Sequence, residues 1–205
     1  MPVLPDSTIQ RNAERILQLV NQLMDIRKID KGQMSLMFKK AEIVSFTRDL
    51  LETFEQQTRV KKLDLKFHTS APEIEMWIDP KNFDKIILNL LSNACKFTPE
   101  NGQVEISLST GEDTHLPQNA PLRRYVELTV ADSGIGIAST EREHIFERFY
   151  QIRNSQNNSN IGTGIGLHLT RSLVELHYGN IHVEDNGEGR PGSRFIIRLP
   201  LGNGH

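Results

Sequence analysis

Asn89, Asn93 and Lys96 follow one another at i, i+4 and i+7. At about 3.6 residues per helical turn, that spacing puts the three side chains on one face. A neutral amide oxygen can ligate a hard cation such as Mg²⁺, and a lysine ammonium beside it can meet phosphate oxygens. The face suits a metal-nucleotide complex; taken alone, the same spacing also describes a solvated helix surface.

Two glycine-punctuated segments add to it. Asp132-Ser133-Gly134-Ile135-Gly136-Ile137 follows an alternating stretch directly, and its glycines let backbone approach a ligand closely. A carboxylate at a strand end can accept a hydrogen bond from an adenine amino group, although ordinary turns use the same residues. Gly162-Thr163-Gly164-Ile165-Gly166-Leu167 stands between a polar segment and a helical pattern. Free N–H groups and the positive end of a helix dipole can receive a phosphate there. No Gly-Lys-Ser/Thr follows, which sets aside a P-loop. No strand precedes it and no later acidic residue completes it, which sets aside a dinucleotide fold.

These residues need elements to hold them. Phe83, Ile86, Ile87, Leu90 and Ala94 give the asparagine-bearing helix a core side. Asp79-Pro80 predicts its N-cap and first turn, and it runs to about Phe97. Helical spacing also marks Ile43 to Phe54. Alternation predicts strands at Met34-Leu36-Phe38, Leu63-Leu65-Phe67, Trp77-Ile78, Val104-Ile106-Leu108, Tyr125–Val130, Ile181-Val183 and Phe195-Ile197-Leu199. The stretch from Gly111 to Arg124 reads as an exposed hairpin connection, and Asn186-Gly187 as a turn. Thr140-Glu141-Arg142-Glu143 has capping-box spacing ahead of a short helix through Phe149. The polar stretch from Gln151 to Asn160 cannot bury enough to order itself. Together these predict an α+β fold, a two-layer α/β sandwich with a mixed, mostly antiparallel sheet and helices on one face.

Ahead of this body, Ile9, Ala13, Ile16, Val20 and Leu23 alternate steps of four and three, the seam of a coiled coil or bundle, widened by Leu17 and Met24. Asp6 or Ser7 caps its start, and Arg27, Lys28 and Lys31 precede Gly32 at its end. Such a helix has nothing of its own to pack on, so a partner helix is expected.

The chain of 205 residues allows one domain plus an appendage, and a net charge of -2 gives no global pull toward nucleic acid or anionic membrane. Cys95 is the one cysteine, so no internal disulfide forms and a reducing compartment is the simple inference. No apolar run reaches a membrane span's length and no signal-peptide layout opens the chain. The chain itself is expected to be soluble.

In order, Asn89 to Thr98 resembles the asparagine box of sensor histidine kinases, Asp132 to Ile137 their first glycine box, Phe146-Glu147-Arg148-Phe149-Tyr150 their phenylalanine box, and Gly162 to Leu167 their second glycine box. The resemblance extends from about Ser35 to Leu201. The segment from Arg11 to Gly32 resembles the second helix of a dimerisation and phosphoacceptor domain, and the wording is most similar to hybrid two-component sensors of Bacteroidetes.

The resemblance implies a Bergerat-type ATP-binding fold over residues 34–205, with an ATP lid at about 150–166, preceded at 1–33 by that second helix. It implies ATP and Mg²⁺ as cofactors. Asn93 would be the principal metal ligand, Asn89 would support metal or phosphates, Lys96 would meet the phosphates, and Phe97 would lie beside the adenine or ribose. Asp132 would read the adenine amino group, with Gly134, Gly136 and Ile137 shaping the base pocket. Tyr150, Gly162, Thr163, Gly164, Gly166 and Leu167 complete the nucleotide site. Arg148 is the candidate for the γ-phosphate, a surface salt bridge being its other reading. Gln151 stands where many relatives place a basic residue, with Arg153 as a substitute.

Related ATPases of topoisomerases, chaperones and mismatch-repair proteins carry a glutamate at the position of Asn89, and an amide cannot act as general base at neutral pH. Transfer to another nucleophile is therefore expected over hydrolysis. The expected role is donation of the γ-phosphoryl group to a histidine on the dimerisation domain, for relay to a receiver aspartate. The alternatives are an ATP-binding signalling module without transfer activity and an ATPase of the same superfamily. None of the seven histidines lies on the Ile9–Asp30 helix or in a phosphoacceptor context. His144 reads as an exposed residue of the short helix, and His168, His177 and His182 as ordinary helix or strand residues. The acceptor helix is expected before Met1, in a homodimeric inner-membrane receptor of which this is a cytoplasmic region, with no direct nucleic-acid binding.

Overall fold

The computed structural model describes residues 6–152, 162–187 and 189–202. Helix α1 (Asp6–Asp30) precedes strand β1 (Lys39–Glu42), helix α2 (Ile43–Val60), strands β2 (Asp64–Thr69) and β3 (Glu75–Ile78) and helix α3 (Pro80–Phe97). Strands β4 (Gln103–Glu112) and β5 (Arg124–Asp132), helix α4 (Gly166–Leu176), and strands β6 (Asn180–Asp185) and β7 (Ser193–Pro200) complete it.

The main sheet runs β2-β4-β5-β7-β6, parallel only between β2 and β4, while β1 and β3 form a separate antiparallel ribbon. One row of the sheet joins Phe67, Ile106, Val130 and Phe195 across four strands. Val104, Ile106 and Leu108 are buried while Glu105 and Ser107 are half-exposed, the period-two pattern of strands with one face on a core. Helices α2, α3 and α4 pack on β2, β5 and β6. The core centres on Phe83, Ile86, Ile87, Leu90 and Leu91 of α3, all at most 1% exposed. This is the two-layer α+β arrangement expected.

Asp79 caps α3 as predicted: its Oδ1 accepts the Asn82 N–H at 3.1 Å, and Pro80 opens the helix. The cap of α2 is a glutamate, Glu42, whose carboxylate accepts from Val44 N at 2.9 Å, Ser45 N at 2.7 Å and Ile74 N at 2.9 Å. Burial opposes its charge, yet these donors outweigh burial and hold its acid down to about 2.

Four expectations change. Residues Met34, Leu36 and Phe38 alternate in burial but pair with no strand; the strand follows at β1. Here an extended linker is held to the body one side chain at a time. Met37 N donates to Asp79 Oδ2 at 2.8 Å, and the Phe38 ring meets the His177 ring edge-on at 5.4 Å. The helix expected through Phe149 is a single 3-10 turn, His144–Phe146, which keeps His144 exposed. Glu143 makes no cap and instead pairs with Arg171 at 3.6 Å, and Phe149 turns to φ +62°, which ends any helix.

His177 is a buried cap at the end of α4 rather than a plain helix residue. Its Nε2 accepts from Asp79 N at 3.2 Å, and its Nδ1 lies 2.7 Å from the Leu173 carbonyl. Helix α1 does have something of its own to pack on, although not through its seam: Ile9 and Ile16 stay 63% and 62% exposed, whereas Ile26 is 5% exposed. A neighbouring stripe, Leu19, Ile26 and Ile29, packs on the core.

Candidate nucleotide site

Helix α3 lies beside α4, and Asn89 joins them. Its Nδ2 donates to the Gly166 carbonyl at 3.4 Å and to Thr170 Oγ1 at 3.3 Å. Asn93 and Lys96 continue the same face toward the helix end and are half-buried. Lys96 Nζ stands 4.8 Å above the Phe97 ring, and a Cβ on Gly162 would come within 3.0 Å of that ammonium. Thus two segments far apart in sequence, the asparagine face and the second glycine segment, come together. Burial makes the ammonium easier to deprotonate, and the positive charge of Arg15 acts the same way.

Lys61 fixes the end of α3. Its ammonium donates to the carbonyls of Cys95 at 2.8 Å, Lys96 at 3.2 Å and Thr98 at 3.2 Å, satisfying acceptors that a helix terminus leaves open.

Asp132 ends β5 and is buried. Its Oδ1 accepts from Gly134 N at 2.8 Å and its Oδ2 from Ser193 Oγ at 3.1 Å. Burial raises its acid above the usual carboxylate range, against the pull of those donors. A carboxylate has about four acceptor directions, so capacity remains for a further donor. Gly134 leaves no room for a side chain: a Cβ would stand 2.6 Å from the Phe97 carbonyl oxygen and 2.7 Å from Asp132 Oδ1. Gly136 holds φ +73°, open to glycine at little cost. Beside this turn opens a cavity of about 550 Å³ whose lining includes Lys96, Phe97, Gly134 and Ile135. Ile137 is half-buried against the core.

The expected lid is described at its two ends. Phe149 N donates to the Gly164 carbonyl at 2.8 Å, and Gln151 Nε2 donates to the Gly162 carbonyl at 2.8 Å. Gly164 adopts φ +68°, and a Cβ there would meet Phe149 backbone at 2.6 Å. Thr163 Oγ1 accepts from Ile165 N at 3.3 Å, and Leu167 packs on the core. Residues 153–161, with Arg153 and most of the expected lid, lie outside the described residues.

Two candidates are engaged elsewhere. The Arg148 guanidinium pairs with Asp30 of α1, and its Nε donates to His168 Nε2 at 2.9 Å. The Tyr150 hydroxyl donates to the Glu141 carboxylate, and its ring lies on His144 at 5.6 Å.

Thr170, Ser193, Lys61 and Gln22, whose Nε2 donates to Asn89 Oδ1 at 3.4 Å, were not foreseen. Thr170 sits one turn after Gly166 and could have been found from helical spacing. The other three reach the site from distant chain segments, for which sequence offers no signal.

For a cation, the site offers amide oxygens of Asn93 and Asn89, hard neutral donors. The described residues contain no cluster of three His, Cys, Asp or Glu side chains. That donor set fits Mg²⁺ carried mainly by phosphate and water rather than a dedicated protein cage.

A family model described as histidine kinase-, DNA gyrase B-, and HSP90-like ATPase matches residues 78–203. Sensor histidine kinase TmoS of Ectopseudomonas mendocina is 38% identical over 193 residues, covering 94% of this chain and 18% of that protein. Histidine kinase P4 of Formosa agariphila is 32% identical over 200 residues, 96% of this chain and 14% of that protein. The chain thus spans less than a fifth of either relative. Among solved structures, the catalytic domain of histidine kinase ThkA superposes with TM-score 0.66 at 25% identity, covering 81% of this chain and 99% of that one. Full-length ShkA in complex with AMPPNP superposes with TM-score 0.75 at 25% identity, covering 95% of this chain and 38% of that one.

Proposed function

The chain belongs to the histidine kinase-, DNA gyrase B- and HSP90-like ATPase family, and from that premise we propose that it binds Mg-ATP and donates the γ-phosphoryl group to a histidine. The acceptor is a histidine of a dimerisation domain, within a homodimeric two-component sensor that relays the phosphoryl group to a receiver aspartate. The parent is a membrane receptor, and this region lies on its cytoplasmic side; no helix among the described residues is long and apolar enough to cross a membrane.

The observation that carries this reading is the meeting of Asn89 with Gly166 and of Lys96 with Gly162, on the same helix as Phe97 and next to the cavity that Lys96, Phe97 and Gly134 line. Asp132 reads the base, because a buried carboxylate with spare acceptor capacity rewards an amino donor. Lys96 holds phosphate oxygens. Asn93, supported by Asn89, would hold Mg²⁺, which neutralises phosphate charge when bound. An amide at position 89 holds no proton-accepting charge, so water is not activated there and a positioned imidazole nitrogen is the better nucleophile. Transfer rests on positioning and charge stabilisation.

The test is trans-phosphorylation. Labelled ATP and this chain, mixed with a dimerisation domain carrying its acceptor histidine, should give acid-labile label on that domain and none on the chain alone. Label on the chain itself, or ATP turnover without an acceptor, overturns the assignment.

A further inference from the structure

Helix α1 packs on α4 and also reaches α3, where its side chains run in the opposite sense along the edge that carries Lys85 and Asn89. Two side-chain contacts set the register: Asp25 pairs with Lys85 at 2.5 Å, and Gln22 Nε2 donates to Asn89 Oδ1 at 3.4 Å. Gln22 and Arg15 are seven residues apart, as are Asn89 and Lys96, so both helices advance about 10 Å and the register carries Arg15 toward Lys96, whose ammonium its charge makes easier to deprotonate. Arg15, Leu19, Gln22, Ile26 and Ile29 form one stripe at steps of four, three, four and three, and its last members anchor it in the core.

The upper end of this contact is electrostatically unfinished. Among the described residues, neither Arg15 nor Lys96 has a carboxylate within ion-pair distance, whereas lower on the interface Asp25 answers Lys85 and Asp30 answers Arg148. Two cations held together at the mouth of a phosphate site call for an anion between them.

We propose that Arg15 of α1 is a nucleotide-binding residue, its guanidinium meeting the β- or γ-phosphate of ATP held on the Asn89, Asn93 and Lys96 face. The inference rests on the nucleotide reading above and extends the site to a helix outside the family-matched residues 78–203. A guanidinium suits the task, being always charged and able to grip two phosphate oxygens at once. In this arrangement, docking of α1 and binding of the triphosphate favour each other.

Calorimetry on the whole chain with Mg²⁺ and a non-hydrolysable ATP analogue, ADP or AMP tests it. Arg15→Ala should weaken the triphosphate about tenfold, as expected for a charge-assisted contact, and leave AMP unchanged. Arg15→Lys should recover part of the loss, and added salt should shrink the difference. Arg15 is exposed and alanine favours helix, so folding is not at stake. Lys28→Ala, elsewhere on α1, is the control and should bind as wild type. Equal or tighter triphosphate binding by Arg15→Ala overturns the proposal and makes α1 a bystander or a competitor. If the unsubstituted chain binds none of the three nucleotides, the nucleotide reading falls and this inference with it; if Asp132→Asn abolishes all three while Arg15→Ala changes none, only the inference falls.

Discussion

Asp132 carries a cost that only function offsets. Burial raises its acid, so in the folded chain it ionises at higher pH than when unfolded, and the stability tied to this group falls as pH rises through that range. Asp132→Asn removes the cost while keeping an oxygen for the Gly134 N–H. Nucleotide affinity should therefore drop more than tenfold, while the melting temperature at neutral pH holds or rises; a lower melting temperature would mean that the carboxylate is structural. Cys95 is the opposite case, with no task in the site. Burial pushes its thiol up to about 11, against the charge of Lys61. Alkylation at pH 8 should be slow in the native chain and at least about a hundredfold faster in denaturant, since only the thiolate reacts. Fast native labelling would show that the end of α3 opens.

The capping carboxylate of α2 gives the clearest pH signature among the elements. Glu42 is held at about 2, below its ordinary 4.5, so its contribution is full above about pH 4.5 and is lost as pH falls toward 2. Glu42→Gln should lower neutral-pH stability by about 1 kcal/mol, within the range for a lost cap. It should also flatten the acid limb of denaturant midpoints measured from pH 6 to 2.5, and an unaltered slope would assign that limb to other acids. Elements of this kind were legible where chemistry was local. Period 3.6 announced α3, Asp79-Pro80 its start, and the i, i+4, i+7 spacing put Asn89, Asn93 and Lys96 on one side of it. Legibility failed where local pattern served a distant partner: the alternation at Met34 to Phe38 reports a linker lying on His177 and Asp79, and the capping-box letters before His144 bind Arg171 and Tyr150 instead. Ser193 and Lys61 were invisible for the same reason, because contacts across 61 and 34 residues have no period.

At the scale of the whole molecule, α1 offers two stripes about one residue apart around its axis, and they serve different surfaces. Ile26 and Ile29 are committed to the body, and burying Ile26 is worth roughly 1.5–3 kcal/mol. Asp30 adds a contact whose acid is held below its ordinary value chiefly by the hydrogen bond from Arg148, so that contact persists above about pH 4 and weakens below it. Ile9, Ile16, Val20 and Leu23 stay exposed and open to a partner helix. Because the stripes do not overlap, docking and dimerisation should be separable. Ile26→Asp should abolish hydrogen-exchange protection over residues 19–30 while leaving sedimentation unchanged. Val20→Glu should shift any monomer-dimer equilibrium toward monomer with that protection intact. If either substitution altered both readouts, the helix would be acting as one surface, and the register that brings Arg15 to Lys96 would depend on a second chain.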